Sequence, residues 1–66
     1  MEVISNTIYD HRTKAGLTQE GLAQAVGVTR QTIIAMERGN YTPSVGLALK
    51  LARVFGVTVE TLFSYE

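Results

Sequence analysis

Residues 16–44 read G-L-T-Q-E-G-L-A-Q-A-V-G-V-T-R-Q-T-I-I-A-M-E-R-G-N-Y-T-P-S, and the fold turns on how this stretch divides. Thr18 stands where a side-chain oxygen caps a helix, ahead of Gln19–Ala25, in which Leu22 and Ala23 share a face with Val26. Gly27 ends that run and can take the positive φ of a tight turn. Thr29 caps a second run, Arg30–Arg38, whose Ile33 and Met36 point inward, and Gly39 stops it. Two short helices joined by a minimal turn are therefore predicted. Ala23 is small enough for close approach, and Leu22, Val26, Val28, Ile33 and Met36 supply the apolar joint.

On the C-terminal side, Ser44 caps Val45–Phe55, a helix apolar on more than one face, and Thr58 caps a last short helix, Val59–Ser64. On the N-terminal side, Ile4, Ile8, His11, Arg12 and Ala15 recur at the spacing of one helix face, with Gly16 beyond them, so a helix is predicted over about 3–15. Few period-two alternations compete. The expected class is all-α, with five helices, the pair of interest at about 19–38, and one domain spanning 1–66. The surplus of apolar residues on the fourth helix suits a central core helix, and equally a surface covered by a second subunit. Leu62 and Phe63 on the last helix, with Tyr65 just past it, are the expected dimer contacts.

Composition narrows the function. With no cysteine and a lone His11 there is neither a disulfide framework nor a metal-ligand set. No nucleophile–base pair or carboxylate dyad appears, and Asp10 beside His11 points to another helix face, so an enzyme is not expected, nor any cofactor. The most apolar stretch, Val45 to Val59, is interrupted by Lys50 and Arg53, which excludes a membrane span and leads to the expectation of a cytoplasmic protein. The formal net charge is zero, yet residues 11–59 hold all six basic residues against only Glu20 and Glu37, a local excess of four.

The outward side of the second helix of the pair carries the chemistry. Arg30 and Gln31 lie in its first turn, and that turn is what reaches base edges when such a helix enters the major groove. Arginine can place two donors on guanine O6 and N7, and glutamine can pair with adenine N6 and N7, each good pair contributing about 1–3 kcal/mol of discrimination. Ile34 and Ala35 are apolar at outward positions, and the isoleucine suits a thymine methyl group. Gln19 at one helix start suits a phosphate, as do Arg38, Asn40 and Tyr41 just past the other helix.

Residues 16–44 closely resemble the lambda-repressor-like, Cro-type helix-turn-helix family, also called the xenobiotic-response-element type. The likeness extends outward through R-x-x-x-G at Arg12 to Gly16 and through L-A-L-K-L-A-R-V-F-G-V-T-V-E-T-L-F, so it covers nearly the whole chain. It implies a five-helix DNA-binding domain that binds double-stranded DNA as a homodimer, on an inverted-repeat operator, as a transcriptional regulator and by expectation a repressor. By the same resemblance, base contacts fall on Arg30, Gln31, Ile34 and Ala35, and phosphate contacts on Gln19, Thr32, Arg38 and the backbone of Asn40 and Tyr41. Members often carry an ion pair between the first and third helices, and Arg12 and Glu37 occupy the matching positions.

Three departures stand out. Gly21 and Gly46 replace glutamates that usually follow the caps of helices two and four, which implies lost capping boxes and about 1 kcal/mol of propensity at each. His11 stands where the pattern has leucine, which implies a hydrogen-bonded, partly buried imidazole. A rival reading of the chain is a protein-interaction adaptor or antitoxin, its main partner another protein held on helices four and five.

Overall fold

Four helices begin on a hydroxyl. In the computed structural model, which describes residues 3–66, the Oγ1 of Thr18 accepts the Gly21 N–H at 2.9 Å, opening a helix over Gln19–Val26. The Thr29 Oγ1 accepts from Thr32 at 3.3 Å and opens Arg30–Glu37. Ser44 Oγ and Thr58 Oγ1 do the same for Leu47 and Thr61, opening Val45–Phe55 and Val59–Leu62. Each cap satisfies an N–H that the first helical turn leaves without an intrahelical partner. The complete order is β1 (Ile4–Asn6), α1 (Ile8–Lys14), α2 (Gln19–Val26), α3 (Arg30–Glu37), α4 (Val45–Phe55), α5 (Val59–Leu62) and β2 (Phe63–Tyr65).

Gly27, at φ 75°, ends α2 in the left-handed region and turns the chain directly into the cap of α3. Its positive φ is open to glycine at little cost and to few other residues. The turn folds α3 onto α2, burying Leu22, Ala23 and Val26 against Ile33 and Met36. Leu47, Leu51 and Ala52 of α4, Ile8 of α1 and Leu62 of α5 complete one continuous core. Fully burying an aliphatic side chain of this size contributes about 1.5–3 kcal/mol, so this cluster is the main favourable term in so short a chain.

Both ends of the chain depart from the sequence-based expectation. The helix predicted over about 3–15 is instead a strand, Ile4–Asn6, followed by the shorter α1. The helix predicted over Val59–Ser64 stops at Leu62, and Phe63–Tyr65 is extended. The two segments pair antiparallel, Ile4 with Tyr65, Ser5 with Ser64 and Asn6 with Phe63. The Glu66 N–H donates to Val3 O at 2.8 Å and the Thr7 N–H to Leu62 O at 2.9 Å, so the pairing continues beyond the strands. The expected all-α chain is thus a five-helix fold carrying a small two-stranded ribbon. Asn6 marks the break in helix one: its Oδ1 accepts from Ile8 N at 3.1 Å and its Nδ2 donates to Met36 O at 2.8 Å.

His11 is half-buried, its Nδ1 donating to Thr7 O at 2.9 Å and its ring tilted against Phe55, centroids 5.7 Å apart. The two glycines of the departing caps are not equivalent. Gly21 occupies the third helical position, where a capping-box glutamate belongs, but Gly46 is the second residue of α4 and Leu47 takes the bond from Ser44. The capping-box expectation is corrected at Gly46. Among the described residues no helix is long and apolar enough to cross a membrane, and no cluster of three or more His, Cys, Asp or Glu is placed to hold a metal ion.

Candidate nucleic-acid interface

The rear of α3 is sealed by Ile33 and Met36, so helical periodicity leaves its other side as two neighbouring ridges, residues 30, 34 and 38 on one and 31 and 35 on the next. Arg30 and Gln31 are exposed, while Ile34 and Ala35 are half-buried at the flanks. The first turn of α3 therefore offers two long polar side chains to solvent, free of the core behind them. Thr32 is half-buried, its Oγ1 lying 3.1 Å from that of Thr29.

Arg38, Asn40 and Tyr41 are exposed just past the helix. The Asn40 N–H is already spent on Ala35 O at 2.9 Å. The backbone donor that the resemblance assigned there is thus closed off, and what Asn40 presents is its side chain. Gln19 is half-buried, its Nε2 donating to Glu37 Oε1 at 3.3 Å; an amide nitrogen has two protons, and this bond uses one.

Behind these groups lies a buried charge pair. Arg12 Nε donates to Glu37 Oε2 at 2.6 Å and Nη2 to Oε1 at 3.2 Å, in the two-pronged geometry that guanidinium and carboxylate favour. Its Nη1 donates to Leu17 O at 2.9 Å, and the whole residue is only 9% exposed. One side chain thus ties α1 to α3 and to the loop before α2. Hydrogen bonding to Glu37 raises the ionisation of Arg12 above its ordinary value; burial opposes the rise, and the charge of Glu37 adds to it. The face of Tyr9 stands over the same guanidinium, 5.3 Å from ring centre to carbon. Tyr9, Gln19, Arg30, Ile34, Glu37 and Arg38 line a polar cleft of about 360 Å³ at this corner. Sequence reading passed over Tyr9, though its place three residues before Arg12 puts the two on one helix face.

The expected subunit contacts separate. Leu62 is 1% exposed inside its own core and is not available to a partner, because it closes the helical bundle under the ribbon. Its assignment to a dimer interface is corrected. Phe63 is half-buried and Tyr65 is 68% exposed, and together with Ile4 they line two adjoining apolar clefts of about 400 Å³ each, one of which continues to Pro43, Val45 and Val59. Val45 and Leu49 stand on the outer face of α4, exposed by 77% and 57%.

The helix-turn-helix family model matches residues 8–62. The chain belongs to the Cro/C1-type helix-turn-helix family. It is similar to an uncharacterized HTH-type transcriptional regulator of Methanocaldococcus jannaschii, MJ0272, with 51% identity over 63 residues and 96% of each chain covered. It is also 36% identical over 62 residues to the cryptic phage CTXphi transcriptional repressor RstR of Vibrio cholerae, covering 94% of this chain and 56% of that one. A crystal structure of a candidate DNA-binding protein from Bacteroides fragilis superimposes with a TM-score of 0.84 at 22% identity, over 94% of this chain and all of the other, a likeness of fold. The part matched to the helix-turn-helix family begins at Ile8 and ends at Leu62, so both strands of the ribbon lie outside it.

Proposed function

We propose that this chain is a sequence-specific, double-stranded DNA-binding transcriptional regulator that acts as a repressor in the cytoplasm, through a single helix-turn-helix domain spanning 1–66. The observation that carries the reading is the division of α3: Arg30 and Gln31 lie open in its leading turn while Ile33 and Met36 anchor its back against α2. Arg30 and Gln31 read base edges in the major groove, with Ile34 and Ala35 against apolar base surface. Gln19, Arg38, Tyr41 and the side chain of Asn40 hold the phosphate backbone and set the register, and Thr32 flanks them. Family membership and the regulators and repressor it resembles support the same class.

Binding is as a homodimer on an inverted repeat, two α3 helices about 34 Å apart on one face of the duplex. What supports this is the apolar surface lined by Ile4, Phe63, Tyr65, Pro43 and Val45, with Leu49 exposed one turn along α4 from Val45, larger than scattered surface residues would make. The same surface favours the second reading, an adaptor whose main partner is a different protein. Selection of bound sequences from random duplexes, followed by footprinting, tests the first reading. It predicts a palindromic site, and replacing Arg30 and Gln31 with alanine is expected to abolish sequence preference without lowering the melting temperature. Function retained by that double variant would transfer the weight to the adaptor reading. Sedimentation separates the partners: Tyr65→Lys is expected to shift a homodimer to monomer, and a wild-type chain monomeric at high micromolar concentration excludes the homodimer.

A further inference from the structure

We infer that Tyr9 is a phosphate-contacting residue, its hydroxyl closing the α1 side of a seat for one phosphodiester in the cleft before Arg12; the inference rests on the DNA-binding reading above. Neither the outward face of α3 nor the resemblance to the family assigns any DNA contact to α1.

The argument is one of donors and acceptors. The one carboxylate in the cleft, Glu37, has Oε2 on Arg12 Nε and Oε1 shared by Arg12 Nη2 and Gln19 Nε2, so its charge is offset and its acceptors are engaged. Arg30 and Arg38, which border the same space, have no carboxylate within ion-pair distance among the described residues. The open donors of the cleft are therefore these two guanidinium groups, the second amide proton of Gln19 and the phenol of Tyr9. A guanine edge presents acceptors, but it carries no net charge to match the two guanidinium groups. A phosphodiester presents acceptors alone and carries the complementary charge. The cleft of about 360 Å³ admits it.

Tyr9 is prepared for that contact. Its ring rests on the Arg12 guanidinium, which is itself locked by Glu37 and Leu17 O, while the residue remains 56% exposed. A ring already held in place loses little freedom on binding. The loaded seat would therefore link α1, α2 and α3 through one anion, with Tyr9 the contribution of α1.

The test is Tyr9→Phe, which keeps the ring over Arg12 and deletes only the hydroxyl. Its melting temperature is expected to match wild type. Affinity for the duplex selected by the wild-type protein, and for a random duplex of equal length, is expected to fall alike, roughly 3- to 10-fold as for one hydrogen bond. A neutral hydroxyl releases no counterion, so the slope of affinity against salt stays unchanged, whereas Arg38→Gln lowers that slope by about 1. Ethylation of one particular phosphate should weaken wild-type binding more than it weakens Tyr9→Phe, which retains the Gln19 and arginine groups of the seat but has already lost the hydroxyl. Wild-type affinity and ethylation pattern in Tyr9→Phe, with DNA binding otherwise intact, overturn the inference alone. A loss confined to one base-pair sequence overturns it in favour of base reading. A wild-type chain that binds no duplex overturns the DNA-binding reading and this inference together.

Discussion

The helix-turn-helix and the terminal ribbon are held by opposite means. In α2 and α3 every boundary is set within three residues, by Thr18 on Gly21, Gly27 in its left-handed turn and Thr29 on Thr32. In the ribbon the decisive contacts join the two ends of the chain, as far apart as Val3 and Glu66, and they are main-chain bonds with no local signature. The first region is braced from behind by a buried ion pair and faces outward with guanidinium and amide groups. The second lies on the common core and faces outward with Tyr65, Phe63 and Ile4. The contrast separates the two surfaces by the partner each can satisfy: an acceptor-rich polyanion on one side, another apolar protein surface on the other.

The largest expected effect tests whether the helix-turn-helix depends on its charge pair. Arg12→Ala would leave Glu37 buried beside Gln19 without its cation and strip Leu17 O of its donor. Removing one partner of a buried pair costs about 3–5 kcal/mol, which in a chain of this size lowers the melting temperature by roughly 12 °C or more. The arginine is held ionised by a pKa raised above its unfolded value, so its share of stability is complete at neutral pH and lost only as strong alkali is reached. Replacing both partners, Arg12→Met with Glu37→Met, is expected to recover most of the loss, because an apolar pair strands no charge. Thermal denaturation of the two variants beside wild type decides it: a double variant as unstable as Arg12→Ala would show that the pair contributes more than the absence of a stranded charge.

The same contrast explains what was legible in the sequence. Caps and glycines gave the helix-turn-helix to within a residue at each boundary, since the cap and the helix it starts are neighbours in the chain. The outward placing of Arg30 and Gln31 followed from the inward placing of Ile33 and Met36. The ribbon was not legible. Ile4 and Ile8 are spaced as one helix face, and nothing near them in the chain shows that Ile4 will meet Tyr65. Leu62 was misassigned for a related reason: with the last helix drawn to Ser64, the change of backbone after Leu62 was not foreseen. The turn to extended backbone at Phe63 instead sends Leu62 inward and Tyr65 outward. Asn6 was missed because it acts across elements, through Met36 O, whereas Tyr9 meets Arg12 within α1 at a spacing the sequence does show.

Asn6 offers the next test, of whether the ribbon is independent of the helices. Its amide donates to Met36 O at the C-terminal end of α3 and accepts from Ile8 N at the start of α1, so one side chain joins the strand to both. Asn6→Ala removes both bonds and is expected to cost about 1–2 kcal/mol. Asn6→Asp keeps the acceptor toward Ile8 but sets a second acceptor against Met36 O, and should be no better. If the ribbon and the helices form one cooperative unit, tyrosine fluorescence, which includes Tyr65 of the ribbon, and helical circular dichroism will shift together in these variants. Separate transitions would make the ribbon an appendage and weaken the proposal that it forms a dimer surface.

The smallest effect distinguishes two helix starts that the sequence treats alike. At Gly46 an added Cβ has only Ser44 Oγ nearby, at 3.9 Å, and the second position of α4 is solvent-exposed. Gly46→Ala removes freedom from the unfolded chain with no contact to disturb, and should stabilise by about 0.5–1 kcal/mol. At Gly21 the Cβ would lie 3.1 Å from Thr18 Oγ1, the atom that accepts the Gly21 N–H and opens α2. That cap has to yield by a few tenths of an ångström, so Gly21→Ala is expected to gain less than Gly46→Ala, or to lose. Chemical denaturation of the two variants side by side gives the ordering. Equal gains would mean that the cap of α2 moves freely, and that the start of the helix-turn-helix is no more tightly specified than the start of α4.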